Sequence, residues 1–289
     1  MSTPIESIVV VGAGTMGSGI ALTAAQFGIR TIQCDFSQTQ LEKARSYHQK
    51  QLSRLLEKQK ITPADAEVIR TRIEYATDYA HAGNASFVIE AASENQEVKK
   101  KLFKSFSETF PTGTILASNT SSISITDIAT AAVGRADHVI GMHFFNPVPV
   151  MRLVEIVRGL ATSEETLVRT AELAKVMGKT PVSANDRAGF VSNRVLMPMI
   201  NEAFYAWMEG VARPEDIDQI MVLGCNFPMG PLRLADFIGL DVCHDIMMVL
   251  HRELGDQKFF PCPLLRQLVT AGRLGDKTMR GVFEYAART

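Results

Sequence analysis

The strand-like run Ile8-Val9-Val10-Val11 passes straight into Gly12-Ala13-Gly14-Thr15-Met16-Gly17, a G-x-G-x-x-G at a strand-to-helix junction. Gly12 permits the tight turn, and Gly14 lets the backbone approach a pyrophosphate. Gly17 lets the following helix pack on the strand, so that the helix N-terminus, with Thr15 and Met16 in its first turn, faces the anion. Alone, the motif also describes an ordinary glycine-rich turn. Here Asp35 follows the second strand, 21 positions after Gly14, where a carboxylate can accept hydrogen bonds from an adenosine ribose diol. Phe36 and Ser37 come next rather than an arginine, so a 2′-phosphate is repelled and NAD is favoured over NADP.

Around this junction, short β-rich runs alternate with amphipathic segments. Thr31–Cys34, Phe87–Ile89, Thr114–Ala117 and His138–Met142 read as strands, and Glu97–Thr109 reads as a helix with Val98, Leu102, Phe103 and Phe106 on one side. Continuous apolar strands alternating with helices predict a doubly wound parallel sheet covered on both faces, an α/β Rossmann-type fold. After residue 185 the strand signal stops. From Phe190 to Met208 the apolar residues form two rows, Val191, Val195, Met199, Ala203, Trp207 and Leu196, Ile200, Phe204, the pattern of a long helix with Pro198 as a kink. The expected organisation is a nucleotide-binding domain over residues 1–185 and an all-helical domain over 186–289. That segment carries more apolar rows than one domain face can bury, so a homodimer is expected.

Thirty basic residues against 31 acidic ones leave a net charge of −1, so nothing global attracts nucleic acid or an anionic membrane. Cys34, Cys225, Cys243 and Cys262 show no metal-binding spacing and read as reduced structural thiols; no metal site is expected. The absence of a signal sequence and of a long apolar stretch predicts a soluble cytoplasmic protein without a membrane span. Between Lys43 and Lys60, the six basic residues Lys43, Arg45, Lys50, Arg54, Lys58 and Lys60 face the single acid Glu57, a local excess of five. Within the helical excursion over about 38–72, that excess is either a seat for phosphates or a solvated basic face.

Two segments follow strands at the end of the sheet where ligands bind: Ser118-Asn119-Thr120-Ser121-Ser122 and His143-Phe144-Phe145-Asn146-Pro147. The backbone is expected to leave the sheet at His143. Glu155 comes twelve residues later within Leu153-Val154-Glu155-Ile156-Val157, and an acid with apolar neighbours on a strand needs a partner. Periodicity alone leaves His143 open as a base or as a packed histidine.

Together, GAGTMGSGIA, SNTSS, HFFNPVPVMRLVEIV, DRAGFVSNRV and GPLRLADFIGLD resemble the L-3-hydroxyacyl-CoA dehydrogenase family over nearly the whole chain. The resemblance implies a Rossmann domain followed by a helical dimerisation domain, and NAD-dependent reversible oxidation of a (3S)-3-hydroxyacyl-CoA to the 3-ketoacyl-CoA. The substrate is expected to be short, 3-hydroxybutyryl-CoA or the dicarboxylyl 3-hydroxyadipyl-CoA. By the same resemblance His143 is the base, Glu155 the acid that orients it, and Ser121 lies between substrate oxygen and nicotinamide. Asn193 matches a hydrogen-bonding partner of the substrate oxygen. Glu94, Lys99, Asn146 and Lys277 match cofactor contacts, and Ser53 and Lys60 match coenzyme A contacts on the excursion.

Two departures stand out. Where the family has a glycine, Met279 occurs in Gly275-Asp276-Lys277-Thr278-Met279-Arg280-Gly281, and Ala188 replaces a frequent proline. Two other functions fit the same scaffold: a dehydrogenase of a free hydroxy acid, and a crystallin-like NAD-binding protein without catalysis. The first generally uses a lysine base, and the second has no need of Ser121, His143, Glu155 and Asn193 together.

Overall fold

A computed structural model of the chain describes residues 5–286 apart from residue 81. It divides into two compact units, Met1–Asp186 and Arg187–Thr289.

The first unit runs β1 (Ser7–Val11), α1 (Thr15–Gln26), β2 (Arg30–Cys34), α2 (Gln38–Glu57), α3 (Pro63–Thr71), β3 (Ile73–Ala76), β4 (Phe87–Glu90), α4 (Gln96–Thr109), β5 (Ile115–Ser118), α5 (Ile125–Ala129), β6 (Val139–Phe144), β7 (Leu153–Arg158), α6 (Glu164–Val176) and β8 (Thr180–Asn185). The strands form one sheet in the order β3-β2-β1-β4-β5-β6-β7-β8. Strand order reverses beside β1, between β2 and β4, which is where open α/β sheets leave a ligand crevice. Ile8, Val10, Phe87, Ile89, Ile140 and Ile156 are buried in its main core, as fully covered strands require.

The sheet departs from the wholly parallel expectation at one pair: β6 and β7 are antiparallel. The residues between Phe144 and Leu153 are too few for a parallel crossover, which takes a dozen or more, so the chain returns as a hairpin. A second difference concerns His143, which lies inside β6 rather than beyond its end. The excursion between β2 and β3 is a helical hairpin. Ser37 caps α2, and α3 opens with Pro63 behind a reciprocal Thr62–Asp65 capping box.

The second unit holds α7 (Ser192–Met208), α8 (Pro214–Cys225), α9 (Pro231–Ile238), α10 (Leu240–Leu254) and α11 (Pro263–Thr270) around a core that includes Met197, Ile200, Phe204, Leu232, Met247 and Leu250. Helix α7 continues across Pro198. Its buried side takes Ile200 and Phe204 of one predicted row and Ala203 of the other, but not the start of that other row. Val191 and Val195 are 58% and 66% exposed, whereas the polar Asn193 and Asn201 are buried. Asn201 explains why apolar periodicity misreads this helix: its side chain donates to Phe260 O at 3.0 Å and accepts from Cys262 N at 2.8 Å, satisfying itself inside the core.

Cys34, Cys243 and Cys262 are buried, and burial pushes the thiols of Cys34 and Cys243 up to about 12; Cys225, at the end of α8, is exposed instead. No helix among the described residues is long and apolar enough to cross a membrane.

Candidate active site

The nucleotide turn is built from close approaches. Gly12 has φ +113°, and a Cβ there would lie 2.4 Å from Ala91 O; a Cβ on Gly17 would lie 2.0 Å from Gly12 O. Only glycine fits either place. A Cβ on Gly14 would meet nothing within 4 Å, and no side chain caps α1, so the space in front of its N-terminus is open. Asp35 Oδ2 accepts from Ala13 N at 2.8 Å, which fixes the carboxylate against the turn. An open helix N-terminus beside an oriented acid fits the pyrophosphate and adenosine ribose of NAD.

Beyond β4 and β5 the site gathers around Glu94. Its Oε1 accepts from Thr120 Oγ1 (2.7 Å), Ser121 N (2.8 Å), Ser121 Oγ (3.1 Å), Ser122 N (3.1 Å) and Ser122 Oγ (3.1 Å). Burial pushes the Glu94 carboxyl up, but the Lys99 ammonium and these donors outweigh it and hold the group below the ordinary carboxylate range. Lys99 does not occupy a solvated helix face. It is 1% exposed and donates to both oxygens of Glu90 at 2.7 Å, with Glu94 Oε2 3.5 Å away. Asn119 ties this loop to the next strand, since its Oδ1 accepts from Phe144 N at 2.9 Å.

His143 and Glu155 are register partners across the antiparallel pair β6·β7. Directly opposed residues point to the same face, and Nδ1 of His143 lies 2.8 Å from Glu155 Oε2. The two residues are 8% and 3% exposed. In the tautomer that donates Nδ1–H to the carboxylate, Nε2 is the ring nitrogen with the lone pair. The Phe145 ring packs 4.6 Å from the imidazole. Asn146 begins the turn that follows, and that turn is held from beneath by buried Lys179, which donates to Val148 O and to Met151 O.

The first unit therefore brings together Gly12, Gly14 and Asp35 at one place, Glu94, Lys99 and Ser121 at another, and His143 with Glu155 at a third. Ser53, on the second half of α2, and Lys60, in the turn beyond it, are both exposed on the helical hairpin. Asn193 and Lys277 belong to the second unit. Asn193 is buried on α7, and Lys277 sits in a short turn, ion-paired with Asp241. Sequence pattern alone does not single out Glu90, although its signal resembles that of Glu155: an acid closing the fully buried strand Phe87–Glu90.

Comparison with known proteins identifies the family. The profile described as "3-hydroxyacyl-CoA dehydrogenase, NAD binding domain" matches residues 7–187, and "3-hydroxyacyl-CoA dehydrogenase, C-terminal domain" matches residues 189–285. A probable 3-hydroxybutyryl-CoA dehydrogenase of Bacillus subtilis is 54% identical over 285 residues, covering 99% of both chains. A 3-hydroxyadipyl-CoA dehydrogenase of Escherichia coli is 42% identical over 99% of this chain and 60% of its own length. The crystal structure of an (S)-3-hydroxybutyryl-CoA dehydrogenase from Ralstonia eutropha superposes with a TM-score of 0.94 at 48% identity, over 98% of this chain and all of that one. The chain belongs to the 3-hydroxyacyl-CoA dehydrogenase family, and NAD is the cofactor of its first domain.

Proposed function

We propose that this family member oxidises a short-chain (3S)-3-hydroxyacyl-CoA reversibly to the 3-ketoacyl-CoA, with His143 as the base and Glu155 as its orienting acid. The observation that carries this reading is the buried His143–Glu155 pair at 2.8 Å. With Nδ1–H donated to the carboxylate, Nε2 is the ring nitrogen that takes the proton of the 3-hydroxyl, and Glu155 stabilises the imidazolium that results. Bound NAD supplies the acceptor for the hydride leaving the 3-carbon. Ser121 donates to the oxygen as it becomes a carbonyl. Glu94, Lys99 and Asn146 hold the nicotinamide half, and Gly12, Gly14, Thr15, Met16, Gly17 and Asp35 hold the adenosine and pyrophosphate half. Ser53 and Lys60 contact coenzyme A from the hairpin.

A short acyl group is favoured because relatives covering nearly this whole chain bear the name 3-hydroxybutyryl-CoA dehydrogenase. The decisive measurement is a kcat/KM series of 3-ketoacyl-CoAs of increasing length with NADH, including a 3-ketodicarboxylyl-CoA. The four-carbon substrate should lead the series. A dicarboxylyl maximum would move the assignment to 3-hydroxyadipyl-CoA, and no turnover with any acyl-CoA would leave a non-catalytic NAD-binding protein. We further propose a cytoplasmic homodimer. Val195, Val211, Ile220 and Leu223 of the second unit are exposed apolar side chains that such an interface would cover. Sedimentation as a monomer at micromolar concentration would refute the dimer.

A further inference from the structure

Glu90 is fully buried, and the chemistry above gives it no part. It is the last residue of β4, in register with Val11 of β1 on one side and Ser118 of β5 on the other, so central strands pin its backbone. Its carboxylate is saturated. Oε1 accepts from Ala92 N at 2.8 Å and Lys99 Nζ at 2.7 Å, and Oε2 accepts from Lys99 Nζ at 2.7 Å and Ser118 Oγ at 2.7 Å. Lys99 reaches in from α4, and beyond Glu90 its ammonium faces Glu94 Oε2 at 3.5 Å. Glu94 in turn receives the N–H and hydroxyl of Ser121 on its other oxygen. A continuous chain of polar contacts thus runs from a fixed point in the sheet to the loop bearing Ser121.

We propose that Glu90 is a positioning residue of the cofactor site: by fixing the Lys99 ammonium it sets the orientation of Glu94, and through Glu94 the position of Ser121. The proposal rests on the reading of Glu94 and Ser121 as groups that meet NAD and substrate. Glutamate is the residue this place requires. Glutamine would turn an NH2 group toward the ammonium or toward the donors Ala92 N–H and Ser118 O–H, and aspartate is one methylene too short for Lys99. Without the Glu90 charge, the buried ammonium is drawn to Glu94, the next carboxylate within reach, and competes there with the serine loop.

The test is Glu90→Gln, read by NADH binding without substrate, by kcat and by melting temperature. NADH Kd should rise about ten-fold and kcat should fall about ten- to a hundred-fold, the scale of a mispositioned reacting group. Because Glu90 acts through Ser121, the combined Glu90→Gln/Ser121→Ala variant should lose far less than the product of the two separate losses. An unpaired buried ammonium can itself unfold a chain, so Glu90→Gln/Lys99→Met, uncharged at both positions, is measured alongside. It should fold and keep the raised NADH Kd. A folded variant of either kind with wild-type NADH Kd and kcat overturns the proposal, as do losses that multiply fully with Ser121→Ala. An unmutated enzyme that binds NADH but turns over no acyl-CoA breaks the substrate reading alone, since the NADH titration still tests Glu90.

Discussion

In the first unit, the buried acids Glu90 and Glu155 take hydrogen bonds from the side chains of Lys99, Ser118 and His143, whereas in the second unit Asp218 and Asp236 are served largely by the backbone. Asp218 accepts from Leu232 N and Arg233 N, both at 2.8 Å, at the start of α9. Asp236 accepts from Val282 N and Phe283 N, both at 2.9 Å, and from Tyr285 Oη at 2.6 Å. Both arrangements satisfy a buried carboxylate. They differ in what the partner can do. A backbone N–H is a fixed donor, so an acid bonded to it serves to hold chain segments together. An imidazole or ammonium can exchange a proton or pass on an orientation. Buried charge paired with titratable side chains therefore marks chemistry, and buried charge paired with main chain marks architecture.

The largest expected effect tests the first half of that comparison. His143→Gln should lower kcat by about 10²–10⁴, the usual contribution of a positioned acid–base group. Melting temperature and NADH affinity should change little, because the glycine turn and Asp35 lie elsewhere on the sheet. Glu155→Gln should also slow turnover, and the double variant should be far from additive because the two residues act as a unit. A stable His143→Gln enzyme with full activity would place this pair with the architectural acids.

Asp236→Ala tests the other half and should give the reverse pattern. Removing an acid that is 1% exposed strands two backbone donors and a phenol, at a cost of roughly 2–4 kcal/mol of stability. The segment it holds packs closely on it: a Cβ at Gly281 would lie 1.9 Å from Asp236 Oδ1. Chemical denaturation should show the loss, with kcat per folded molecule nearly preserved. A stable but inactive variant would break the comparison.

The two kinds of acid were unequally legible in the sequence. The nucleotide turn and the α/β alternation could be read directly, because glycine spacing and continuous apolar strands are local signals. The need of Glu155 for a partner was visible in its apolar flanks. That His143 faces it follows from a hairpin register, which depends on the connection from Phe145 to Arg152 being too short for a crossover. Glu90 went unread because an acid at a strand end also describes an ordinary exposed terminus. Asp236 was hidden for another reason: its partners lie more than forty positions away, in a segment with little secondary structure. Asn201 shows the same limit in a helix, where a buried amide interrupts the apolar stripe that periodicity follows.

His48 sharpens the comparison, since it is a titratable side chain of the first unit whose partners are Tyr75 Oη at 2.7 Å and the main-chain Ser18 O at 2.8 Å. By the rule above it should matter to stability, not to catalysis. Burial lowers its pKa from 6.5 to about 4. Between those values the unfolded chain binds a proton that the folded chain refuses, so stability falls as pH drops from 6.5 toward 4. The expected loss from this residue between neutral pH and about pH 5 is on the order of 1–2 kcal/mol. Denaturant midpoints at the two pH values should show that loss in the parent chain and a smaller one in His48→Gln. An unchanged acid limb in the variant would mean that His48 is not the group refusing the proton.

The smallest effect concerns Met279, at φ +59° in the stretch that Asp236 clamps. The left-handed region crowds Cβ against the backbone and disfavours an L residue by roughly 1–2 kcal/mol relative to glycine. The position is kept there by its main chain: Met279 N donates to Asp276 O at 3.3 Å, and Met279 O accepts from Tyr285 N at 3.0 Å. Met279→Gly relieves the crowding but gives the unfolded chain more freedom, so the net gain should be only about 0.5 kcal/mol. Met279→Val, branched at Cβ, should instead lose about 1 kcal/mol. The order of melting temperatures is therefore Gly above Met above Val. A valine variant as stable as the parent would show that the clamp tolerates a different backbone path, and that Asp236 restrains this segment less tightly than its hydrogen bonds imply.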